Sequence, residues 1–368
     1  MEAEATAGQA GGEKKTRRVW KWTKRILLAA LLLVVVAGLA GMAYQSIATM
    51  RDAKRFPQEG RSVALGAEFP GVSLNLNCTG SGSPTVIMDS GLGVPAAGWD
   101  MVQSEVAKFT RVCSYDRAGY AWSTAGPMPR TSGQIVNELH ALLAVSGEKG
   151  PYILVAHSFG GYNVRVYTAK YPAEVVGLVL VDTSHEDQDS MMPPTLKAFM
   201  DKEKASLDTE RKLAPILIFL GVARLTANDE DINKYGKDFA EKMKYLQLQS
   251  KFVDATASEF LVFDQSAEEV RKSGNLGDRP LVVLTAGKEQ DLKNFPKGIS
   301  AEEMKAFQKL WIEDLQVRET RLSTRGKQIV VPDSTHMIPL ERPDAVVSAV
   351  REVVNAVRSD AESSPAKP

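Results

Sequence analysis

Ser158 stands in the run Ala156-His157-Ser158-Phe159-Gly160-Gly161, directly after an apolar stretch at 152–156 and before a stretch with helical spacing at 161–170. A serine hydroxyl is a poor nucleophile at neutral pH unless a base removes its proton. A strand that turns sharply into a helix holds such an oxygen clear of the backbone, near the positive helix end. The turn needs small residues two positions before and two after the serine, because larger side chains there collide. Ala156 and Gly160 meet that need, with Ala156 where the G-x-S-x-G pattern has its first glycine. The chemistry implied is attack on an acyl carbon through a covalent intermediate.

The base must come from four histidines. His157 adjoins the serine, so its side chain should leave the turn in another direction. His140 lies on a helical stretch among charged residues and reads as surface. His185 follows the strand at 177–182 and is placed to line the site without acting as base. His336 sits in Pro332-Asp333-Ser334-Thr335-His336-Met337, after the last apolar strand and before a closing helix. Strand ends converge at that edge of a parallel sheet, which makes His336 the base.

Strand-like runs at 72–78, 85–88, 111–115, 152–156, 177–182, 281–285 and 328–331 must position these groups. They alternate with helical spacing at 134–145, 161–170, 301–317 and 343–357, the pattern of a mainly parallel sheet covered on both faces. The stretch 185–275 interrupts the alternation. It is rich in Met, Lys and Glu, has helical spacing at 214–225 and 238–248, and reads as a helical cap inserted into a core of 62–184 plus 276–358. Its Met and Leu content suggests an apolar acyl pocket. Residues 359–368 read as a disordered tail.

Basic residues crowd the first 25 positions, and residues 26–44 carry no charge. Nineteen helical residues reach roughly the 30 Å of a bilayer core. The basic flank predicts a cytoplasmic N-terminus and a chain beyond the span outside the cytoplasm, whether periplasmic, extracellular or lumenal. The alternative is a signal peptide cleaved near Gly41-Met42-Ala43, giving a secreted protein. No polar face appears on a helical projection of 26–40, which argues against a buried core helix. Residues 45–61 read as a linker.

Composition narrows the remaining classes. The chain has 368 residues, with 45 basic and 45 acidic side chains, so no strongly basic surface is available for nucleic acid. Four histidines and two cysteines, without HExxH or paired CxxC, indicate neither a metal site nor a cofactor-binding motif. The glycines of Ser90-Gly91-Leu92-Gly93 do not form a dinucleotide loop: Ala96 stands where G-x-G-x-x-G needs glycine, and Pro95 interrupts.

From about residue 62 to 357 the chain resembles the α/β-hydrolases. The resemblance rests, in order, on SPTVIMDSGLG, SYDRAGYAWS, LVAHSFGG, LVLVDTSH and DSTHMIPLERPDAV. It implies an eight-stranded, mostly parallel sheet with helices on both faces, a helical cap, and the serine-hydrolase type. The nearest likeness is to membrane-anchored or exported members. It further implies an oxyanion hole from the backbone N–H groups of Phe159 and Leu92. The acid of a Ser-His-Asp triad usually follows the strand at 281–285, where Gly287-Lys288-Glu289-Gln290-Asp291 puts Gln290 at the common position. Asp291 or Glu289 fits only if that loop shifts. The family's other solution places the acid after the preceding strand, at Asp182. In the family's strand order, Cys78 and Cys113 fall on neighbouring antiparallel strands, which implies a disulfide.

The leading expectation is a carboxylesterase or lipase-like enzyme acting on a small-molecule ester, tethered to a membrane by its N-terminal helix. Amidase or peptidase activity is an alternative, and so is a non-catalytic ligand-binding or receptor module on the same fold. Serine at the elbow excludes dehalogenase and epoxide-hydrolase chemistry, which use a carboxylate nucleophile there.

Overall fold

The structure, a computed structural model, describes residues 2–228, 230–289 and 298–363. The chain divides into two compact units, one of residues 1–55 with 215–227 and one of 56–214 with 228–368.

The larger unit is built on eight strands: β1 (Arg61–Ala64), β2 (Ser73–Thr79), β3 (Thr85–Asp89), β4 (Val112–Tyr115), β5 (Tyr152–His157), β6 (Val175–Val181), β7 (Leu281–Ala286) and β8 (Gly326–Val331). They form one sheet in the order β1-β2-β4-β3-β5-β6-β7-β8. Only the pairs made by β2 are antiparallel. The expected α/β-hydrolase sheet is present.

Alternation along the central strands divides the core into two layers. Ile87, Leu154, Leu178 and Val283 face Val136, Leu139 and Leu142 of helix Ser132–Ser146 and Val164 of helix Gly160–Lys170. Met88, Val155, Val179 and Leu284 face the opposite way, onto Val102 of helix Asp100–Val106 and Val346, Val350 and Val353 of helix Pro343–Ser363. Between β6 and β7, where a cap is expected, stand helices that include Pro194–Phe219, Lys237–Gln247, Ser250–Leu261 and Phe263–Arg271.

Three expectations change. The linker at 45–61 is helical for most of its length, because the first helix runs unbroken from Glu2 to Arg55. Residues 44–55 contain neither Gly nor Pro, and Pro57 then disfavours helix at Phe56. The tail at 359–368 begins as helix: Pro343–Ser363 continues through it, held by an Arg325–Asp360 ion pair and a Ser363 hydroxyl bond to the Ser359 carbonyl. Residues 364–368 lie outside the described residues. The helical stretch expected at 214–225 is split between Pro194–Phe219 and Val222–Thr226, because Gly221 takes the left-handed conformation that ends a helix (φ +72°).

In the smaller unit the first helix contains a stretch, within Arg18–Arg55, long and apolar enough to cross a membrane.

Cys78 of β2 lies directly opposite Cys113 of β4, and the two form the disulfide that the strand order implied. The bridge closes a loop with a sequence separation of 35. On chain-entropy grounds such a crosslink stabilises the fold by about 3–4 kcal/mol. The Cys78→Ser/Cys113→Ser double variant should therefore unfold at a lower denaturant concentration than wild type, and dithiothreitol should lower the wild-type midpoint alone. Equal midpoints under reducing and oxidising conditions would count against a stabilising bridge.

Candidate active site

Strands β5 and β6 run side by side, with His157 paired to Val181 at their C-terminal ends. The next residue on each strand, Ser158 and Asp182, adopts a left-handed backbone (φ +53° and +46°), uncommon for a residue with a side chain. Backbone bonds tie the two turns together: Ser158 N–H donates to the Val181 carbonyl (3.2 Å), and Ser184 N–H to the Ser158 carbonyl (3.1 Å). Gly160 has no room for a side chain, since a Cβ there would lie 2.6 Å from the Asp89 carbonyl oxygen. Small residues thus let the elbow press against the loop after β3.

That loop carries the second expected backbone donor. Arg117 holds it from beneath, donating to the carbonyls of Ser90 (2.6 Å) and Gly91 (2.8 Å) and to the Asp89 carboxylate (2.8 Å). Glu259 balances the other side of the guanidinium at 3.0 Å. The Tyr120 hydroxyl donates to Glu259 (2.7 Å) and accepts from Gly93 N–H (3.0 Å). Arg117 thus has a structural place, tying the loop to a buried charge cluster. Among the described residues, neither Leu92 N–H nor Phe159 N–H donates to a protein acceptor. Both residues line a cavity with Ser158.

His336 Nδ1 lies 2.7 Å from Asp182 Oδ2. The other carboxylate oxygen accepts from Ala286 N–H (3.0 Å) and from the Trp311 indole N–H (2.9 Å). Burial works to raise the Asp182 pKa, but the His336 contact and the other two donors outweigh it and hold the carboxyl below its usual range. An ionised carboxylate only accepts, so Nδ1 of His336 carries the hydrogen in this contact. Ser158, Asp182 and His336 line one cavity lobe, with no hydrogen bond between Ser158 Oγ and His336. Catalytic contacts often tighten only when substrate is bound.

The other candidates fall elsewhere. Glu289 is exposed and 3.6 Å from Lys305, while Gln290 and Asp291 lie outside the described residues. His140 stacks on Tyr171 and contacts Glu174, at the surface as expected. His185 does not line the cavity: it is buried, its Nδ1 accepts from Asp187 N–H (3.0 Å), and Glu186 and Arg165 stand beside it. His157 leaves the turn away from the cavity, and its Nε2 meets the His336 carbonyl oxygen at 2.8 Å. Neutral imidazole donates there, fixing the loop that carries His336. Trp311 is a contact that the sequence did not disclose. It opens the π-helical turn Trp311–Leu315, a geometry with no signature in residue spacing.

The cavity has two lobes of about 220 and 390 Å³ that share Ser158, Ser184, Gln188, Met192 and Met200. The first adds Leu92, Phe159, Phe260 and Phe263, together with the charged Asp189, Lys197, Asp201, Lys204 and Asp264. The second adds Leu196, Met304, Phe307 and Trp311 beside His336.

Burial and the neighbouring His336 lower the His157 pKa to about 3. An unfolded histidine titrates near pH 6.5. Between those values the unfolded chain binds the extra proton, so stability from this group is complete above pH 6.5 and is lost as pH falls toward 3. The slope of stability against pH in that window should flatten in His157→Gln, measured by denaturant midpoints at successive pH values. An unchanged slope would show that His157 is not held neutral by the fold.

Residues 86–349 match the model of the alpha/beta hydrolase family. The chain is 27% identical to the uncharacterised protein YbdG of Bacillus subtilis over 168 residues, which is 45% of this chain and 50% of that protein. It thus spans about half the length of that relative. Among solved structures, a thermophilic esterase from Thermogutta terrifontis superposes with a TM-score of 0.54 at 22% identity, covering 81% of this chain and 98% of the esterase. The epoxide hydrolase CorEH superposes with a TM-score of 0.57 at 14% identity, covering 79% and 98%. At such identities the superpositions show the fold alone. The family match, by contrast, extends from β3 into the closing helix and over more than half of the chain, and the protein belongs to the alpha/beta hydrolase family.

Proposed function

We propose that this protein is a serine hydrolase that cleaves a small-molecule carboxylic ester through an acyl-enzyme, held at a membrane by its N-terminal helix. The observation that carries the reading is the Asp182–His336 contact in the cavity that Ser158 lines, with serine and acid on adjacent strand ends.

In this mechanism His336 Nε2 takes the Ser158 proton as Oγ attacks the acyl carbon. The carbonyl oxygen becomes an oxyanion, which accepts from the N–H groups of Leu92 and Phe159. Asp182 keeps the proton on Nδ1 and stabilises the imidazolium. The imidazolium passes its proton to the departing alcohol oxygen as the ester C–O bond breaks. Water, deprotonated by His336, then attacks the acyl-enzyme, and Ser158 leaves with the returned proton.

The fold is shared with an epoxide hydrolase, so the elbow residue decides between chemistries, and serine favours acyl transfer. An ester is favoured over an amide because its alcohol leaves without a strong acid. The disulfide supports a catalytic unit outside the cytoplasm, where such bonds persist.

A fluorophosphonate probe should label the full chain in detergent on the peptide containing Ser158, and Ser158→Ala should take no label. Absence of label on folded wild-type protein would overturn the enzyme reading in favour of a ligand-binding module.

With a p-nitrophenyl ester and the matched p-nitroanilide, ester turnover should be faster. Asp182→Asn should lower kcat by about 10³–10⁴-fold. Trp311→Phe, which removes one hydrogen bond to a charged group, should cost about ten- to a hundredfold. Wild-type-like turnover in Asp182→Asn would move the acid elsewhere, with Asp291 the first position to test.

A further inference from the structure

The exposed apolar surface beyond the first helix is concentrated in one place. Ile216, Leu217, Phe219, Val222 and Leu225 of the smaller unit are all exposed, with Phe219 at 59% and Leu225 at 68%. Among the described residues, the larger unit exposes large apolar side chains only singly or in a pair, as at Met101, Met128, Val145, Leu213 and Ile329–Val330. Scattered exposure is ordinary, whereas five such residues within ten positions mark a surface that meets something apolar.

Within the smaller unit, the segment 215–227 packs on the first helix. The covered positions of that helix, 38, 41, 42, 45, 48 and 52, recur at three- and four-residue spacing along one face. Gly41 admits the segment: a Cβ there would lie 2.1 Å from the Leu220 carbonyl oxygen, and one on Gly38 would lie 3.8 Å from the Leu220 side chain. Arg224 closes the other end, donating to Gln45 Oε1 (3.0 Å) and Asp52 Oδ2 (2.6 Å).

Depth follows from helix rise. The apolar run ends at Tyr44, before Gln45 and Ser46, so at about 1.5 Å per residue Gly41 lies about 4.5 Å, and Gly38 about 9 Å, inside that end. Asp52 lies about 12 Å beyond it. Leu220 therefore packs at the level of the apolar run, while the Arg224 clamp sits where head groups and water begin. An arginine at that level with apolar neighbours deeper is the arrangement of a side chain that keeps its charge in the interface.

We propose that residues 215–225 form a second membrane-contacting element, whose exposed Ile216, Leu217 and Phe219 enter the acyl-chain region of the bilayer that the N-terminal helix spans. The occupant of this surface is lipid, because the surface is continuous with the apolar span and shares its depth. The inference rests on the reading of that helix as an uncleaved anchor.

The test uses full-length protein in phosphatidylcholine nanodiscs, with NBD on a single introduced cysteine. Cys78 and Cys113 are bonded and do not react. Ile216→Cys and Phe219→Cys report on the segment, Leu31→Cys on the span, and exposed Lys149→Cys on water. Circular dichroism and the denaturant midpoint verify folding of each variant. With nitroxide on the lipid acyl chains, emission should be lost at 31, 216 and 219 and retained at 149. Quenching at 31 but not at 216 and 219 overturns the inference and leaves the anchor standing. A blue-shifted but unquenched probe at 219 also overturns it, since a protein surface such as a second copy would then cover the patch. Quenching at neither 31 nor the segment overturns both readings. Quenching at 216 and 219 without 31 overturns the anchor and keeps the segment as the lipid contact.

Discussion

Most of what this site does depends on one constraint, the register of β5 against β6. His157 opposite Val181 puts Ser158 and Asp182 in step, each the first residue past its strand. Both leave in the left-handed conformation, which turns the side chain out of the sheet plane. Such conformations cost on the order of 1–3 kcal/mol each and persist only where the surroundings over-determine them. Here the surroundings are the backbone bonds between the two turns, Ser158 to Val181 and Ser184 to Ser158. A slip of one residue in that pairing would separate Ser158 from Asp182 and reverse the faces of a wholly buried strand.

A second constraint is electrostatic. Arg117 is almost completely buried, with Asp89 and Glu259 on either side of it. Taking three charges out of water is expensive, and breaking such a group is costlier still, typically 3–5 kcal/mol for one lost partner. A well-packed apolar cluster of the same volume could match its stability. What apolar groups could not supply is guanidinium donors to the Ser90 and Gly91 carbonyls. With those carbonyls engaged and the Gly93 N–H taken by Tyr120, Leu92 N–H has no partner among the described residues, in the middle of a fixed loop. Glu259 comes from a helix inserted between β6 and β7, so the insertion helps to fix the loop as well as lining the cavity.

The fold was legible because its signals are local and repeated. Strands β3, β5, β6 and β7 are short apolar runs bounded by turns, and five of the expected seven strands end within a residue of the observed ends on both sides. Ser158 was legible because its turn restricts neighbouring residue size, and His336 because a loop histidine after the last strand meets the converging edge. What was not legible depends on distance in space. Trp311 and Ala286 reach Asp182 from 129 and 104 positions away. The His157 bond to the His336 carbonyl spans 179 positions. β1 was missed because only one of its four residues is buried, which leaves no alternation to read.

Why Asp182 engages His336 can be argued from how its carboxylate is satisfied. A buried carboxylate needs donors on both oxygens to remain ionised. His336 serves one oxygen, and Ala286 N–H and Trp311 serve the other. Ala286 is the last residue of β7, so the strand that usually supplies the family's acid contributes a backbone donor to an acid on its neighbour. The π-helical turn that begins at Trp311 completes the set. A π-bulge shifts the register of a helix by one residue and re-aims its side chains. Here that shift accompanies an indole N–H directed at a carboxylate one strand away from the usual position. Asp182, the β7 end and the altered helical turn therefore form one arrangement, in which His336 Nδ1 is engaged by a carboxylate from the end of β6.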